Sequence, residues 1–510
     1  MPATTVADAA NARWDRSFFG HPRGLATLFM TEMWERFSYY GMRALLIYYL
    51  TSTVAHGGLG FADSKAGAVY GLYTALVYLM ALGGGWIADL FIGQQRAVLY
   101  GGILITAGEF CLMAPSQTVF YLGLVLLMAG TGFLKGNVST IVGQLYSRED
   151  VRRDSGFSIF YMGINIGAFL SPIFCGYIGE HFSWRLGFGL CGVGMLAGLL
   201  QYALTVRYLG DAGRYPARSN DPATDRKHKR TAIVALSVSA ALLALVGLLS
   251  AAGAIHLDAN VISAVLGWCL LGISALVFAW LIFFGDWSAE ERKRSAAILV
   301  LFVASALFWA AFEQAGSSLS LFAERNTNRH VPGFIASILR QDEFPASWYQ
   351  FVQPLFVIIL APVFALLWLW MGKREPSSPA KFSAGLFFGG AAFVVMVPAA
   401  IIASGGSGTM AGPLWLVACY LFQTLGELCL SPVGLSAMTK LAPERAAGFM
   451  MGIWFLSISI GNWLAGEAAS LYSSMPLTEL FGSVAVFSIA AAVILLVIAR
   501  PTVRLMGGVN

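Results

Sequence analysis

Long apolar runs dominate this chain, and they constrain its fold more than any other feature. A helix that crosses a bilayer needs about 20 mostly apolar residues, and fourteen such runs follow one another here, separated by charged or turn-forming segments. Only 12% of the residues are charged, about half of the roughly 25% that is typical of soluble domains. The sequence therefore predicts an all-α membrane protein with spans near residues 23–52, 64–92, 96–114, 117–146, 151–180, 184–209, 231–252, 258–285, 291–323, 346–371, 380–403, 411–440, 446–473 and 478–503.

The distribution of basic residues predicts the orientation of these spans. An even number of spans places both termini on the same side of the membrane. Of the 32 lysines and arginines, 24 lie in loops on that side, 5 lie in loops on the other side, and 3 lie at membrane depth. Because basic loops are retained in the cytoplasm, we expect both termini to be cytoplasmic.

A polar linker divides the chain. Residues 210–230 are rich in charge, proline and turn-forming residues, and the two spans that follow, within 231–285, contain almost no ionisable side chains. This pair has the character of an insertion between two six-span halves. We predict an N-terminal bundle of residues 1–210, a linker with two inserted helices over 211–290, and a C-terminal bundle of residues 291–510.

The first span carries four ionisable residues, Glu32, Glu35, Arg36 and Arg43. Each ionised side chain at a helix centre costs roughly 2.5–3.5 kcal/mol, so together they would cost on the order of 10–14 kcal/mol if they faced lipid. At 100° per residue they fall within an arc of roughly 140° on the helix surface, together with Tyr39 and Tyr40. A packing role, with Glu32 and Arg36 paired one turn apart, is one interpretation. A path for ions or substrate is the other, because intramembrane charges usually mark one.

Three further charges are isolated at membrane depth: Lys135, Glu313 and Glu427. Each needs a partner from another helix. All bases at depth belong to the first half of the chain, and the second half supplies only acids at this depth, so a cavity between the halves would suit a zwitterion. Interhelical salt bridges without a ligand are the alternative, and the two interpretations are compatible. Glu109 and Glu467 lie nearer helix ends, and we expect them at the membrane interface.

Several motifs then indicate a family. The first span reads EMWERFSYYG from Glu32 to Gly41 and resembles the ExxERFxYYG motif of the proton-dependent oligopeptide transporter (POT) family of the major facilitator superfamily. FYMGINIG at 160–167 is similar to its FYxxINxG signature, and FEQ at 312–314 and GELCLSP at 426–432 resemble its seventh- and tenth-helix motifs. GWIAD at 85–89 resembles the superfamily's loop between helices 2 and 3.

The resemblance implies a major facilitator fold of twelve transmembrane helices in two six-helix bundles, with two inserted helices, fourteen in total. It also implies import of di- and tripeptides by proton symport across the inner (cytoplasmic) membrane. The family's proton-coupling motif corresponds to Glu32, Glu35 and Arg36. Gln353 stands where the family often has asparagine, one methylene shorter. The substrate-binding residues that the resemblance implies are Arg36, Tyr39, Tyr40, Arg43, Tyr78, Lys135, Asn165, Trp309, Glu313, Gln353, Glu427 and Trp454.

These residues suggest a mechanism. We expect one of Glu32, Glu35 and Glu313 to carry the proton, because a carboxylate that loses a basic partner in a buried environment is more readily protonated. Two oppositely charged pairs are available as gates between the halves, Arg43–Glu313 and Lys135–Glu427. Forming one pair while breaking the other would let the two bundles rock.

Other classes of protein fit less well. A proton-coupled transporter of another small anion or zwitterion, nitrate-like or drug-like, is the alternative on this scaffold, although Glu313 and Glu427 favour a substrate with an amine. HExxH, GxSxG and P-loop motifs do not occur in the sequence, so we expect no enzyme. The six cysteines show no CxxC spacing, so we expect no metal site. Apart from the proton gradient we expect no cofactor, and as partners peptides, protons and the lipid bilayer, no nucleic acid, with the protein a monomer.

Overall fold

A computed structural model shows the chain to be almost entirely helical. It describes residues 15–147, 150–216, 222–251, 253, 258–285, 287–331, 333–339, 341–406, 409–441 and 447–507. Within these residues there are fourteen long helices and no β-strand. In chain order the helices are α1 Arg23–Thr51, α2 Asp63–Ile92, α3 Gln94–Leu112, α4 Gln117–Gln144, α5 Arg153–His181, α6 Trp184–Leu209, α7 Pro222–Ala251, α8 Ala259–Phe284, α9 Ala289–Arg325, α10 Ala346–Met371, α11 Ser378–Ala403, α12 Leu414–Leu441, α13 Ala447–Ser470 and α14 Leu477–Leu505.

The predicted all-α membrane architecture is confirmed, because each predicted span corresponds to one of these helices. Among the described residues, ten helices are long and apolar enough to cross a membrane: α2, α4, α5, α6, α8, α9, α10, α11, α12 and α14. Helix α1 is not among them, since it carries the four ionisable residues that need a protein or water environment.

The main difference from the predicted boundaries is at α7, which begins at Pro222 and not near residue 231. Proline suits the first position of a helix because its missing N–H has no partner there in any case, and Asp225 adds an acid to the first turn. The basic residues of 226–230 therefore lie in a helix and not in a linker. Residues 217–221 of the predicted linker lie outside the described residues.

The chain forms two compact units that do not follow its order in sequence. Unit 1 consists of residues 1–40, 79–168 and 188–261, and unit 2 consists of residues 41–78, 169–187 and 262–510. The N-terminal parts of α1 and α5 therefore belong to unit 1, and their C-terminal parts belong to unit 2. The division into 1–210, 211–290 and 291–510 stays a prediction.

In unit 1, small residues bring α6 close to α1. A Cβ atom on Gly194 would lie 2.6 Å from Cδ1 of Phe37, and a Cβ atom on Gly198 would lie 2.6 Å from Cβ of Trp34. At 100° per residue, Phe37 and Trp34 project from the side of α1 opposite to its charged residues. Close packing on glycine thus fixes the aromatic side of α1 and turns the charged side away from α6.

In unit 2, α2 and α13 make a similarly close contact. A Cβ atom on Gly71 would lie 2.8 Å from the Cα atom of Gly466, a separation that real side chains do not adopt. Backbones that meet this closely gain van der Waals contact along their whole interface, which is a main source of helix association in membranes.

Substituting Gly71 by alanine is therefore expected to destabilise the protein. The helices must move apart, and overpacking of this kind costs about 1–3 kcal/mol. The melting temperature of the purified protein in detergent, measured at one heating rate, should fall. Gly83→Ala is the matched control on the same helix, because its added Cβ would meet no atom within 4 Å apart from its chain neighbours and the backbone of its own helix. Equal melting temperatures for the two variants would contradict the prediction.

Candidate functional site

The charged residues of α1 that belong to unit 1 form one buried cluster. Arg36 Nε lies 3.0 Å from Oε1 of Glu32, and the same guanidinium also pairs with the carboxylate of Glu35. All three side chains are buried, with Glu35 showing no exposed surface. The Glu32–Arg36 pair that a packing role requires is therefore formed, but Glu35 shares Arg36 with Glu32. Two carboxylates and one guanidinium leave one negative charge that a proton or another cation must balance.

Aromatic and basic side chains surround this cluster within unit 1. The Arg36 guanidinium carbon lies 5.3 Å from the centre of the Tyr39 ring, and Lys135 Nζ lies 6.0 Å from the same ring. Tyr39 meets Tyr40 edge to face, with ring centres 5.2 Å apart. On α5, Asn165 Nδ2 donates to the carbonyl oxygen of Tyr161, one turn earlier in its own helix, at 2.9 Å. Both predicted bases of this unit thus flank one tyrosine ring.

A second buried ion pair lies in unit 2. Arg43 Nη2 is 2.6 Å from Oε2 of Glu313, and Arg43 Nε donates to the hydroxyl of Tyr70 at 2.7 Å. The side chains of Arg43 and Glu313 are 6% and 3% exposed, which places the pair among those whose disruption is costly. A base and an acid from opposite halves of the sequence, on α1 and α9, therefore meet here.

A break in α9 positions Glu313. The helix runs regularly from Ala289 to Phe312, tightens into a 3₁₀ turn over Glu313–Gly316, and resumes at Ser318. A side chain at Gly316 would collide with the Tyr70 hydroxyl and crowd Arg43. Glycine at this position is therefore what lets the hydrogen bond between Arg43 and Tyr70 form beside the turn.

The remaining predicted site residues of unit 2 form no ion pair in the described part of the chain. Gln353 Nε2 donates to Oε1 of Gln423 at 3.3 Å, and Gln423 Nε2 donates in turn to the carbonyl oxygen of Ala311 at 3.2 Å. Gln353 is thus oriented by Gln423, a residue that the sequence analysis did not single out. The other members are Tyr78, Trp309 and Trp454, which are buried, and Glu427, which is half-buried.

The predicted site residues divide evenly between the units. Unit 1 holds Glu32, Glu35, Arg36, Tyr39, Tyr40, Lys135 and Asn165. Unit 2 holds Arg43, Tyr78, Trp309, Glu313, Gln353, Glu427 and Trp454. The proposed Lys135–Glu427 pair draws on both units and stays a prediction. No group of three or more metal-binding side chains occurs among the residues that the structure describes.

Sequence reasoning missed a polar cluster at the far end of α9. Arg325 forms two hydrogen bonds to the carboxylate of Asp63, of 2.7 and 3.0 Å, a bidentate arrangement. Glu180 accepts hydrogen bonds from the backbone N–H groups of Ala346 and Ser347, both at 2.8 Å. These residues lie at helix ends, where apolar periodicity gives no signal. Glu180 and Arg325, together with Glu324, line a cavity of about 570 Å³.

Comparison with known proteins places these features in a family context. The sequence profile of the POT family matches residues 95–487. The peptide transporter YePEPT of Yersinia enterocolitica is 40% identical over 98% of each chain, and a di-/tripeptide transporter of Lactococcus lactis is 37% identical over 97% of this chain and 99% of its own. The crystal structure of a peptide transporter POT in complex with sulfate shares 42% identity and a TM-score of 0.89, covering 98% of this chain and 99% of the other.

Proposed function

The chain belongs to the POT family, and we propose that it is a proton-coupled symporter that imports di- and tripeptides by alternating access. The fourteen long helices of the described residues match the number expected for the major facilitator fold of that family, twelve with two inserted. Relatives of nearly equal length that are named peptide transporters support the substrate class.

The proposed coupling of peptide and proton rests on a single observation, which is that two buried carboxylates share Arg36. A peptide brings a carboxylate of its own, which competes for the same guanidinium. When the peptide takes Arg36, Glu32 or Glu35 loses its partner. A carboxylate left unpaired in a low-dielectric environment is stabilised by taking up a proton. Binding of peptide and binding of a proton therefore favour one another.

The two ends of a peptide call for opposite charges. We assign its carboxylate to Arg36, with Lys135 beside the same tyrosine ring. Glu313 and Glu427 as partners of its ammonium group stay a prediction from the sequence. Trp309 and Trp454 likewise stay predicted contacts of its side chains, which need contact area without strict direction.

A transporter of another small anion or zwitterion on the same scaffold is the second candidate. A simple anion such as nitrate needs only the basic residues. It offers no positive group that Glu313 could bind once its pair with Arg43 opens. The presence of this buried acid, 2.6 Å from its base, is the specific reason to prefer a substrate that carries an amine.

Uptake of labelled dialanine into proteoliposomes tests the proposal. With the outside made one pH unit more acidic, each coupled proton supports up to about tenfold accumulation, since one pH unit corresponds to 1.36 kcal/mol. A protonophore should abolish the accumulation. Unlabelled dialanine should compete, whereas nitrate and N-acetyl-dialanine, which has no ammonium group, should not. Uptake that nitrate blocks, or that ignores the pH gradient, would contradict the proposal.

We further propose the setting of this activity. The protein is a monomer of the inner membrane with both termini in the cytoplasm, it catalyses no chemical reaction, and the proton gradient is its only energy source. The excess of basic residues in the loops on the side of the termini supports the orientation.

A further inference from the structure

The strongest unassigned feature is a buried acid on α3. Glu109 has no exposed surface, and neither does Ser38 of α1, which it contacts. The Ser38 hydroxyl donates to Oε1 of Glu109 at 2.8 Å. The other carboxyl oxygen, Oε2, has no hydrogen-bond partner among the described residues. Glu109 is therefore buried inside unit 1, three residues before the end of α3 at Leu112, and its place at the membrane interface stays a prediction.

The charged groups around Glu109 determine whether its carboxyl group is ionised or neutral. On α1, Arg36 is already engaged by Glu32 and Glu35. On α6, the residue packed against Glu109 is Gly192, at which a Cβ atom would lie 3.2 Å from Cβ of Glu109. Within the described part of the chain, none of the ion pairs includes Glu109. An ionised carboxylate here would have one neutral hydroxyl as its compensation.

An isolated ionised carboxylate in an apolar interior is far less stable than the neutral acid. The neutral acid also suits the observed contact, because its carbonyl oxygen accepts from the serine and one O–H remains. The contact is well placed to act on α1. Ser38 follows Glu35 by three residues and Arg36 by two, so it lies within one turn of the shared ion pairs. Packing of α6 on Trp34 and Phe37 holds one side of this turn, and Glu109 holds another.

We propose that Glu109 is kept as a neutral carboxylic acid and that, through its hydrogen bond to Ser38, it is a positioning residue for Glu35 and Arg36. The proposal rests on the proposed peptide transport for its functional part. Its first part, the protonation of Glu109, does not depend on that function. The amide of glutamine reproduces the acceptor oxygen and the neutral charge, whereas leucine keeps the bulk and removes both oxygens.

Infrared difference spectroscopy of the purified protein at pH 7 tests the protonation state. Subtracting the spectrum of Glu109→Gln from that of the wild type should leave one C=O stretching band of a protonated carboxyl. In Ser38→Ala this band should move to higher frequency, because its carbonyl oxygen no longer accepts a hydrogen bond. A difference spectrum with no such band, or with carboxylate bands in its place, would overturn the proposal.

The positioning role is tested by the KM of dialanine exchange in proteoliposomes. Ser38→Ala and Glu109→Leu should each raise KM about fivefold, the loss expected for one net hydrogen bond. The double variant should be no worse than either single one, because both remove the same bond, and Glu109→Gln should match the wild type. Additive losses, or a glutamine variant as impaired as leucine, would refute the role.

Glu467→Leu is the matched control. Glu467 of α13 also accepts a hydrogen bond from a serine, Ser263 of α8, at 2.6 Å, but this bond joins it to α8 and not to α1. Its substitution should leave KM unchanged, and an equal rise would contradict a specific effect of Glu109. If wild-type protein exchanges no dialanine at all, the proposed function fails, and the infrared result still decides the state of Glu109.

Discussion

Glu35→Gln is expected to abolish accumulation of dialanine against a gradient and to leave exchange of dialanine across the membrane intact. Glutamine keeps the volume of the side chain but can neither release nor take up a proton. Arg36 retains a partner in the variant, because Glu32 remains 3.0 Å away. The peptide can therefore still bind and cross, whereas its movement is no longer tied to a proton. The accumulation ratio should fall from up to about tenfold per pH unit and coupled proton to one.

Two measurements separate this outcome from simple damage. Counterflow of labelled dialanine, which needs no proton movement, should proceed at a rate close to that of the wild type. Glu343→Gln serves as the control for loss of an acid, since its side chain is 60% exposed and its carboxylate lies 3.1 Å from Arg329. This variant should accumulate dialanine normally. A Glu35→Gln protein that still concentrates peptide would transfer the role of proton carrier to Glu32 or Glu313.

The fold could be predicted from sequence because the thickness of the bilayer sets the length of each apolar run that crosses it. The runs that form α2, α9 and α14 are bounded by charged or turn-forming segments, and their observed ends lie within a few residues of the predicted ones. The start of α7 was predicted too late. Apolarity begins near residue 231, but the helix itself begins at Pro222, where N-terminal preferences and not hydrophobicity decide.

The residues of the candidate site could be proposed from sequence, but their partners could not. Helical periodicity placed the ionisable residues of α1 on one side, and it could not show that Arg36 serves two acids. It also gave no indication that Tyr70 would bind Arg43. The 3₁₀ turn at Glu313–Gly316 depends on contacts from α1 and α2, which lie far away in sequence. The buried environment of Glu109 was not predicted for the same reason, because α1 and α6 provide it.

Removing either partner of the Arg43–Glu313 pair is expected to destabilise the protein strongly and to stop transport. The two side chains are almost fully buried and their charged atoms lie 2.6 Å apart. Breaking a buried pair by removing one member costs about 3–5 kcal/mol, because the other charge is left uncompensated. Arg43→Leu and Glu313→Leu should therefore both lower the melting temperature in detergent and show no uptake of dialanine.

The double variant Arg43→Leu/Glu313→Leu separates stability from function. Replacing both charges by apolar groups removes the uncompensated charge, and such replacements are often neutral for stability or better. Its melting temperature should therefore return toward that of the wild type, while dialanine uptake stays absent, because the base and the acid of the proposed gate are both gone. The exposed pair Lys293–Glu290, 3.0 Å apart on the surface of α9, supplies the control, since breaking a surface pair costs only about 0–1 kcal/mol.

Uptake by the double variant at the wild-type rate would show that the Arg43–Glu313 pair only stabilises the fold. A melting temperature as low as that of the single variants would show that the cost lies in packing around Tyr70 and not in charge.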